Sequence, residues 1–331
     1  MERFALAAAV VLGFALTAAL CSLFVPLRRV LERREQNQQP VQPEQPRPVP
    51  LRAPLWGGLC AAAGTVAAVG VGWLAACVGQ PELLGSEGRL MTRLLTALAG
   101  SLAFGAVGLA EDLARMRSPA ALGLRRDVRL LLEALAVAFV LLLLQAAGCL
   151  PRGLDVPGAG YVLLGSAVPF LWAVLMVALA ECARIAERDE GTVCGAAFVA
   201  MLALMMAEAG LGVPGLAVLP AALAGALVAL LLWAFPPARL GVGCCGSLLA
   251  AGAIGCIPLS LDMTSLTVPL ALPFWAAGGL WAAQLLGAKR TGKPLRCWVK
   301  KHKMSPETVF LCSFALSAVG YVLALALLRW C

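Results

Sequence analysis

Charged residues are scarce in this chain of 331 residues. Asp, Glu, Lys and Arg make up 13% of it, whereas about 25% is usual in a soluble domain. Hydrophobic residues reach 61%, and the mean hydropathy is +0.88. A chain of this composition cannot shield its apolar surface from water by folding on itself. The scarcity of charge therefore excludes an ordinary soluble domain and predicts an integral membrane protein.

Other absences narrow the class further. The chain has one histidine, and its twelve cysteines form neither a C-x-x-C pair nor a Cys/His metal grouping. This pattern favours cysteines that act as small buried hydrophobic residues. The net charge is +8, but aromatic residues do not interleave with the basic ones, so a nucleic-acid polymer is not a predicted partner. The apolar runs do not alternate as those of a membrane β-barrel do.

Ten long apolar runs are present instead. Each is close to the ~20 residues that cross a ~30 Å hydrocarbon core as a helix. They predict an all-α integral membrane protein with about ten transmembrane helices, forming a single polytopic domain over residues 1–331. The runs are 4–26, 54–79, 92–110, 127–149, 160–182, 192–210, 213–235, 240–260, 267–288 and 307–329.

The basic residues predict the orientation. Most of the 26 Lys and Arg residues lie in the odd-numbered loops or at the helix ends beside them. By the positive-inside rule those loops are cytoplasmic and both termini are outside. The first such loop, residues 27–53, is rich in Pro and Gln, and its Gln36–Pro54 part is predicted to be irregular with extended polyproline conformation.

Acidic residues concentrate on the third and fifth loops. Such a cluster between basic loops is suited to a divalent cation with a phosphorylated ligand, because Mg²⁺ prefers carboxylate and phosphate oxygens. The alternative is that these are solvated loop charges paired with Arg115, Arg125 and Arg184. The residues in question are Glu111, Asp112, Asp127, Glu133, Glu181, Glu187, Asp189 and Glu190.

Three carboxylates lie within or near the predicted spans: Glu133, Glu181 and Glu208. Ionisable residues inside a membrane are functional candidates by default. Glu133 follows Arg129 by one helical turn, so an ion pair between these two side chains is an equally good interpretation. Glu208 is expected near the outer interface.

Six short segments carry a family resemblance through their order and spacing. Residues 54–58 (PLWGG) resemble T-P-T-M-G-G, residues 108–115 (GLAEDLAR) resemble G-F-x-D-D-x-x-K, and residues 123–129 (GLRRDVR) resemble G-L-x-x-x-x-K. Residues 184–191 (RIAERDEG) fall on N-L-T-D-G-L-D-G, and residues 237–248 (PARLGVGCCGSL) fall on P-A-Q-V-F-M-G-D-x-G-S-L. In the ninth loop, His302 stands where a histidine run is expected, and Ser305, Pro306 and Glu307 resemble W-P-E.

These motifs resemble those of the phospho-N-acetylmuramoyl-pentapeptide transferases, the MraY type. That family lies within the polyprenyl-phosphate N-acetylhexosamine-1-phosphate transferases. The resemblance implies transfer of phospho-MurNAc-pentapeptide, or a related phosphosugar, from a UDP-sugar to undecaprenyl phosphate, with release of UMP, in the synthesis of peptidoglycan lipid intermediates. It also implies a magnesium cofactor, a multi-pass location in the bacterial cytoplasmic membrane with the active site on the cytoplasmic face, and a homodimer.

The resemblance assigns roles to individual residues. It implies catalytic roles for Glu111, Asp112, Glu187 and His302. It implies metal ligands at Asp112, Glu187 and the position of Cys244. The substrate-binding positions that it implies are Arg184, Glu190, Gly241, Lys300 and Lys301.

The chain departs from the family pattern at most of these positions. Family aspartates are replaced by Glu111, Glu187 and Glu190, each one methylene longer, and the family Asn by Arg184. Cys244 replaces the Asp of the M-G-D motif, and a soft thiol is a poor ligand for Mg²⁺. Gly241 replaces an aromatic residue, and the histidine run is reduced to His302. Other residues could still bind phosphate, namely Lys300, Lys301 and Lys303.

These departures leave three interpretations. The first is a transferase with impaired catalysis, and the second is a catalytically inactive descendant that acts as a binding or scaffold protein. The third, a transporter, requires polar groups near the membrane midplane, often in two related halves. No internal repeat is visible, and the charges gather in the predicted cytoplasmic loops.

Overall fold

The computed structural model describes residues 2–38, 56–79, 88–117, 123–151, 153–156, 160–163, 165–187, 191–213, 215–235, 238–291 and 305–330. Helices dominate these ranges. They are α1 (Glu2–Gln38), α2 (Gly57–Gly79), α3 (Gly88–Arg117), α4 (Arg126–Ala146), α5 (Ala167–Ala186), α6 (Thr192–Gly210), α7 (Val218–Ala234), α8 (Gly243–Ser260), α9 (Thr267–Leu270), α10 (Leu272–Thr291) and α11 (Pro306–Trp330). A 3₁₀ turn, Thr264–Leu266, precedes α9, and two strands, β1 (Gly153–Val156) and β2 (Gly160–Leu163), lie between α4 and α5.

Seven helices in these ranges are long and apolar enough to cross a membrane. The number rises to eight if the bent pair at Thr264–Leu270 and Leu272–Ala283 forms one span. The predicted class, an all-α integral membrane protein, is thus confirmed. Each of the ten predicted apolar runs contains a described helix, but α7 is only 17 residues long. The count of ten spans and the positions of the termini therefore stay predictions.

The helix α1 extends beyond the first predicted span. It continues to Gln38 and so covers residues 27–38 of the segment predicted as the first loop. Residues 39–53, which complete that segment, lie outside the described residues. The assignment of the whole chain to one domain also stays a prediction.

The fifth predicted span starts too early. Its first residues, Gly160–Leu163, form strand β2, which pairs antiparallel with β1 so that Gly153 faces Leu163. The helix begins only at Ala167. Tyr161 and Val162 favour extended backbone, and pairing with β1 stabilises that conformation. An apolar run alone does not separate such a strand from the helix that follows it.

The ninth predicted span is broken. The two helical parts, Thr264–Leu270 and Leu272–Ala283, are bent by 63° relative to each other. The break lies at Ala271, two residues before Pro273. Because proline has no backbone N–H, Pro273 cannot bond the carbonyl of Pro269 and continue the helix.

The helix α8 lies at the centre of the bundle. All of its residues from Gly243 to Ser260 are buried, and it packs mainly along α3, with further contacts to α5, α2 and α6. Its sequence, GCCGSLLAAGAIGCIPLS, is rich in Gly, Ala and Cys. Small residues let helix backbones approach closely in a membrane. The position of α8 therefore determines which neighbouring side chains meet at its N-terminus.

The start of α2 is fixed against the segment that leads into α8. The backbone N–H groups of Gly57 and Gly58 donate to the carbonyls of Gly241 and Val242, at 3.2 and 2.9 Å. N–H groups at the start of a helix have no acceptor within that helix, and here the segment before α8 supplies one for each. A Cβ on Gly58 would lie 2.6 Å from the Cα of Gly246, so only glycine fits here. Two of the segments that resemble family motifs, residues 54–58 and 237–248, are thus bonded directly to each other.

Gly58→Ala is predicted to destabilise the protein. The added methyl group must displace the backbone of α8, which makes an overpacking cost of about 1–3 kcal/mol reasonable. Gly70→Ala in the same helix is the matched control, because a Cβ there meets nothing within 4 Å. The apparent unfolding midpoint in detergent should fall for Gly58→Ala and stay unchanged for Gly70→Ala. Equal midpoints for the two variants would contradict this close contact.

Candidate functional site

The candidate residues meet at one end of the bundle, which we name the site end. There α3 and α5 finish, and α4 and α8 begin. Arg117, Arg126, Ala186 and Gly243 mark these four termini. Helix termini expose unpaired backbone groups, and helix N-termini favour anionic partners.

Asp112 caps the N-terminus of α8. Its Oδ1 accepts the backbone N–H of Cys244 at 3.0 Å, and its Oδ2 accepts that of Cys245 at 2.9 Å. The residue is buried. Gly108, one turn earlier on α3, makes this possible, because a Cβ there would lie 2.7 Å from the nitrogen of Cys245. Asp112 therefore has a structural role at the helix dipole, in addition to any role in chemistry.

Arg115 contacts three carboxylates. Its Nη2 lies 2.8 Å from Oε1 of Glu111, and its Nη1 lies 3.4 Å from Oε2 of Glu187 and 3.9 Å from Oδ1 of Asp112. Glu111 precedes Arg115 by one turn of α3, the favourable order for such a pair. Glu187 directly follows α5. One guanidinium therefore joins α3 to the end of α5.

Cys244 completes this group. Its Sγ donates to Oε2 of Glu187 at 3.4 Å, the same oxygen that Arg115 contacts. The residue is fully buried. A thiol is a weak donor, so this contact orients Glu187 without adding charge. We call Glu111, Asp112, Arg115, Glu187 and Cys244 the Arg115 cluster.

A second ion-pair group lies beside it. Nε of Arg129 bonds Oε1 of Glu181 at 2.8 Å, and its Nη1 lies 3.9 Å from Oε1 of Glu111. Arg184 bonds the other oxygen of Glu181. Arg184 is therefore connected to the Arg115 cluster through Glu181 and Arg129.

The alternative pairing of Arg129 with Glu133 is not formed. Arg129 instead contacts Glu181, with 2.8 Å between Nε and Oε1, and so joins α4 to α5. The carboxylate of Glu133 is fully buried, and neither of its oxygens has a hydrogen-bond partner among the described residues. Glu208 is also buried, near the opposite end of α6 from the site end.

The predicted site residues divide into three groups. Glu111, Asp112, Glu187 and Cys244 lie together, while Gly241 contributes its carbonyl to the start of α2. Arg184 lies in the neighbouring ion-pair group. The roles of all these residues stay predictions. The remaining candidates lie outside the described residues: Glu190, His302, Lys300 and Lys301.

Sequence reasoning missed the central position of Arg115. The motif places Arg115 at the position of a family lysine, and the alternative interpretation makes it one of several partners for solvated carboxylates. Its spacing from Glu111 is a recognisable pairing signal. The contacts to Asp112 and Glu187 depend on how α3 and α5 pack, and no local spacing contains that information.

Magnesium, which the resemblance implies, does not fit this arrangement of donors. Mg²⁺ binds oxygens at about 2.0–2.1 Å, whereas Nη1 of Arg115 already lies 3.9 Å from Oδ1 of Asp112 and 3.4 Å from Oε2 of Glu187. Both oxygens of Asp112 already accept backbone N–H groups, and the next donor is the thiol of Cys244. Within the described part of the chain, no group of three or more His, Cys, Asp or Glu side chains is placed to hold a metal.

Comparison with known proteins identifies the family. The model of glycosyl transferase family 4 matches residues 94–262, which include most of α3, all of α4 to α8 and the whole Arg115 cluster. The chain is similar to the phospho-N-acetylmuramoyl-pentapeptide-transferase of Mycobacterium tuberculosis, with 28% identity over 265 residues and 72% of each chain covered. It is also similar to the enzymes of that name from Desulforudis audaxviator (31% over 170 residues, 48% of this chain and 50% of the relative) and Synechococcus sp. (29% over 212 residues, 63% and 55%).

The chain therefore belongs to glycosyl transferase family 4, a family of multi-pass membrane proteins. Within it, the chain is of the MraY type, as the motifs predict.

Proposed function

We propose that this chain is a MraY-type glycosyl-1-phosphate transferase whose turnover is impaired by its substituted site residues. Its substrates are undecaprenyl phosphate and UDP-MurNAc-pentapeptide, or a related UDP-sugar. The observation that carries the proposal is the convergence of Glu111, Asp112, Glu187 and Cys244 at the N-terminus of α8. A location in the bacterial plasma membrane, with the site end cytoplasmic, and a homodimer belong to the same proposal.

The reaction joins two phosphates. An oxygen of the lipid phosphate attacks the phosphorus that carries the sugar, and the bond from that phosphorus to the bridging oxygen of UMP breaks. Such a reaction depends on positioning and on stabilisation of negative charge. At the site end, the guanidinium of Arg115 and the N-terminus of α8 supply positive potential. Neighbouring arginines, Arg129 and Arg184, keep Glu181 paired.

The substitutions explain why turnover should be low. Glu111 and Glu187 carry their oxygens one methylene farther from the backbone than the family aspartates do, and a misplacement of about 1 Å can reduce a rate ~10²-fold. Cys244 supplies a neutral thiol at a position where the family pattern has a carboxylate. The backbone around Cys244 is nevertheless held firmly by Asp112. The arrangement thus supports ligand binding more strongly than it supports fast transfer.

The test is a direct assay on the purified protein. Undecaprenyl phosphate, UDP-MurNAc-pentapeptide and Mg²⁺ are supplied, and release of UMP is measured beside the transferase of Mycobacterium tuberculosis. We expect measurable nucleotide binding and a turnover about 10²-fold or more below that of the relative. A protein that binds neither the UDP-sugar nor UMP would refute the proposal.

Glu187→Gln is predicted to weaken this function further. The change removes the charge that holds both Arg115 and the thiol of Cys244, and a lost charge-assisted contact is worth about 1.5–3 kcal/mol. UMP release or nucleotide affinity should fall at least tenfold. Asp127→Asn is the matched control, because Asp127 is an exposed carboxylate at the same end of the bundle. An equal loss in both variants would argue against a role for Glu187.

An inactive descendant that only binds its ligand is the second candidate. The contact between the Cys244 thiol and Glu187 favours it, because this pair replaces two carboxylates of the family pattern. Nucleotide binding with no UMP release would support this candidate over the transferase. The transporter alternative has less support, because the ion-pair groups lie at helix ends rather than at mid-helix positions.

A further inference from the structure

The guanidinium of Arg115 lies at the point where three carboxylates converge. We propose that Arg115 is the built-in cation of this site, so that the chain binds the diphosphate of a nucleotide-sugar without a divalent metal ion. The ligand class rests on the proposed function, whereas the replacement of a metal by Arg115 rests on the geometry of the cluster itself.

The contacts of Arg115 are those of a central cation. Nη1 lies 3.9 Å from Oδ1 of Asp112 and 3.4 Å from Oε2 of Glu187, and Nη2 bonds Glu111. These acids come from two separate segments, the end of α3 and the residue after α5. A divalent ion at the same point would meet a permanent positive charge within a few ångströms, since arginine stays protonated in proteins. Arg115 and a metal ion therefore compete for one position.

The cysteine at residue 244 is consistent with a guanidinium in place of a metal ion. A fourth carboxylate beside Glu187 and Asp112 would add a further negative charge to the three carboxylates that already contact Arg115. The thiol of Cys244 is neutral when protonated and donates to Oε2 of Glu187 at 3.4 Å. Cysteine at this position thus avoids a fourth negative charge in the Arg115 cluster.

Arg115 is also the accessible member of the group. Its side chain is 23% exposed, whereas those of Glu111, Asp112 and Glu187 are 3%, 2% and 10% exposed. The carboxylates therefore hold the guanidinium from the buried side and leave an edge open to a ligand. Guanidinium presents several N–H donors in a planar fork that matches phosphate oxygens. The chemistry expected of this edge is recognition of a phosphate or diphosphate group.

The first experiment measures affinity for UDP-MurNAc-pentapeptide by calorimetry, once with EDTA and once with Mg²⁺. For the unaltered protein we expect the two affinities to agree within about threefold, because the charge is supplied by arginine. Arg115→Gln should lose about tenfold or more of its affinity in EDTA, since it loses the charge-assisted contact, and should recover part of it when Mg²⁺ is added. Arg117→Gln, two residues further along α3 and exposed, is the matched control and should behave like the unaltered protein.

The second experiment needs no nucleotide. Binding of Mn²⁺, as a probe for Mg²⁺, is followed by electron paramagnetic resonance. The unaltered protein and Arg117→Gln should bind the ion weakly, and Arg115→Gln should bind it at least tenfold more tightly, because its three carboxylates are left without their cation. Tight Mn²⁺ binding by the unaltered protein, or nucleotide binding that requires Mg²⁺, would overturn the inference even if Arg115→Gln failed to fold. If Mn²⁺ binds weakly to the unaltered protein and tightly to Arg115→Gln but no nucleotide binds, the proposed function and the metal-free binding of a diphosphate are both refuted, and only the role of Arg115 as the cation of the cluster is supported.

Discussion

Asp112→Ala should produce the largest loss of stability among single changes at the site end. The backbone N–H groups of Cys244 and Cys245 would lose their acceptor in a fully buried environment. Each unsatisfied buried donor costs about 1–3 kcal/mol, so the free energy of unfolding should fall by roughly 2–6 kcal/mol. The apparent unfolding midpoint in detergent and the yield of folded protein would both report this loss.

The control for this prediction is Asp127→Ala. Asp127 is exposed in the first turn of α4, and exposed substitutions usually change stability by less than about 0.5 kcal/mol. Asp112→Asn separates charge from shape, because its amide keeps one acceptor oxygen. The unfolding midpoint of Asp112→Asn should lie between those of the parent protein and Asp112→Ala. A stable Asp112→Ala protein would show that the α8 cap is dispensable.

Cys244→Asp should have the largest effect on metal binding. It adds a hard carboxylate beside Oε2 of Glu187, which lies 3.4 Å from the present sulfur. Mg²⁺ prefers oxygen ligands to thiols, so its affinity should rise at least tenfold, equivalent to about 1.4 kcal/mol. If the remaining scaffold is competent, UMP release should rise with it.

Cys244→Ser is the matched control for the predicted rise in Mg²⁺ affinity. It replaces the sulfur by a small hard oxygen but adds no charge, so it should not increase Mg²⁺ binding appreciably. Calorimetry with Mg²⁺ on the three proteins makes the comparison. A folded Cys244→Asp protein with unchanged metal affinity would indicate that the site has lost its metal chemistry altogether.

Hydropathy was sufficient to locate the helices but not their ends. Each predicted apolar run contains a helix because a bilayer requires backbone groups to be satisfied within the segment. The run at 160–182 was wrong at its start, since β2 is stabilised by pairing with β1. The break at Ala271 depends on two prolines within a continuous apolar run. Strand pairing and proline effects are not visible in the average hydropathy of a window.

Motif order located most of the described site residues but not their contacts. Glu111, Asp112, Glu187 and Cys244 could be grouped because their motifs follow one another as in the family. The cap of α8 by Asp112 could not be predicted, since it joins residues separated by 132 positions. The interpretation that paired Arg129 with Glu133 was wrong, because it used only the spacing of the two residues within α4. Only the packing of α4 against α5 brings Glu181 within 2.8 Å.

The bonds made by Asp112 have an evolutionary consequence. They reach the backbone N–H groups of residues 244 and 245, and so they are indifferent to the side chains at those positions. A substitution at residue 244 can therefore alter the chemistry of the site while the start of α8 keeps its place. Because side chain and backbone are held separately, the side chains of the site can change under weak selection without loss of the fold. The aspartate of the family pattern can thus be replaced by cysteine at residue 244 while the backbone at the start of α8 stays the same.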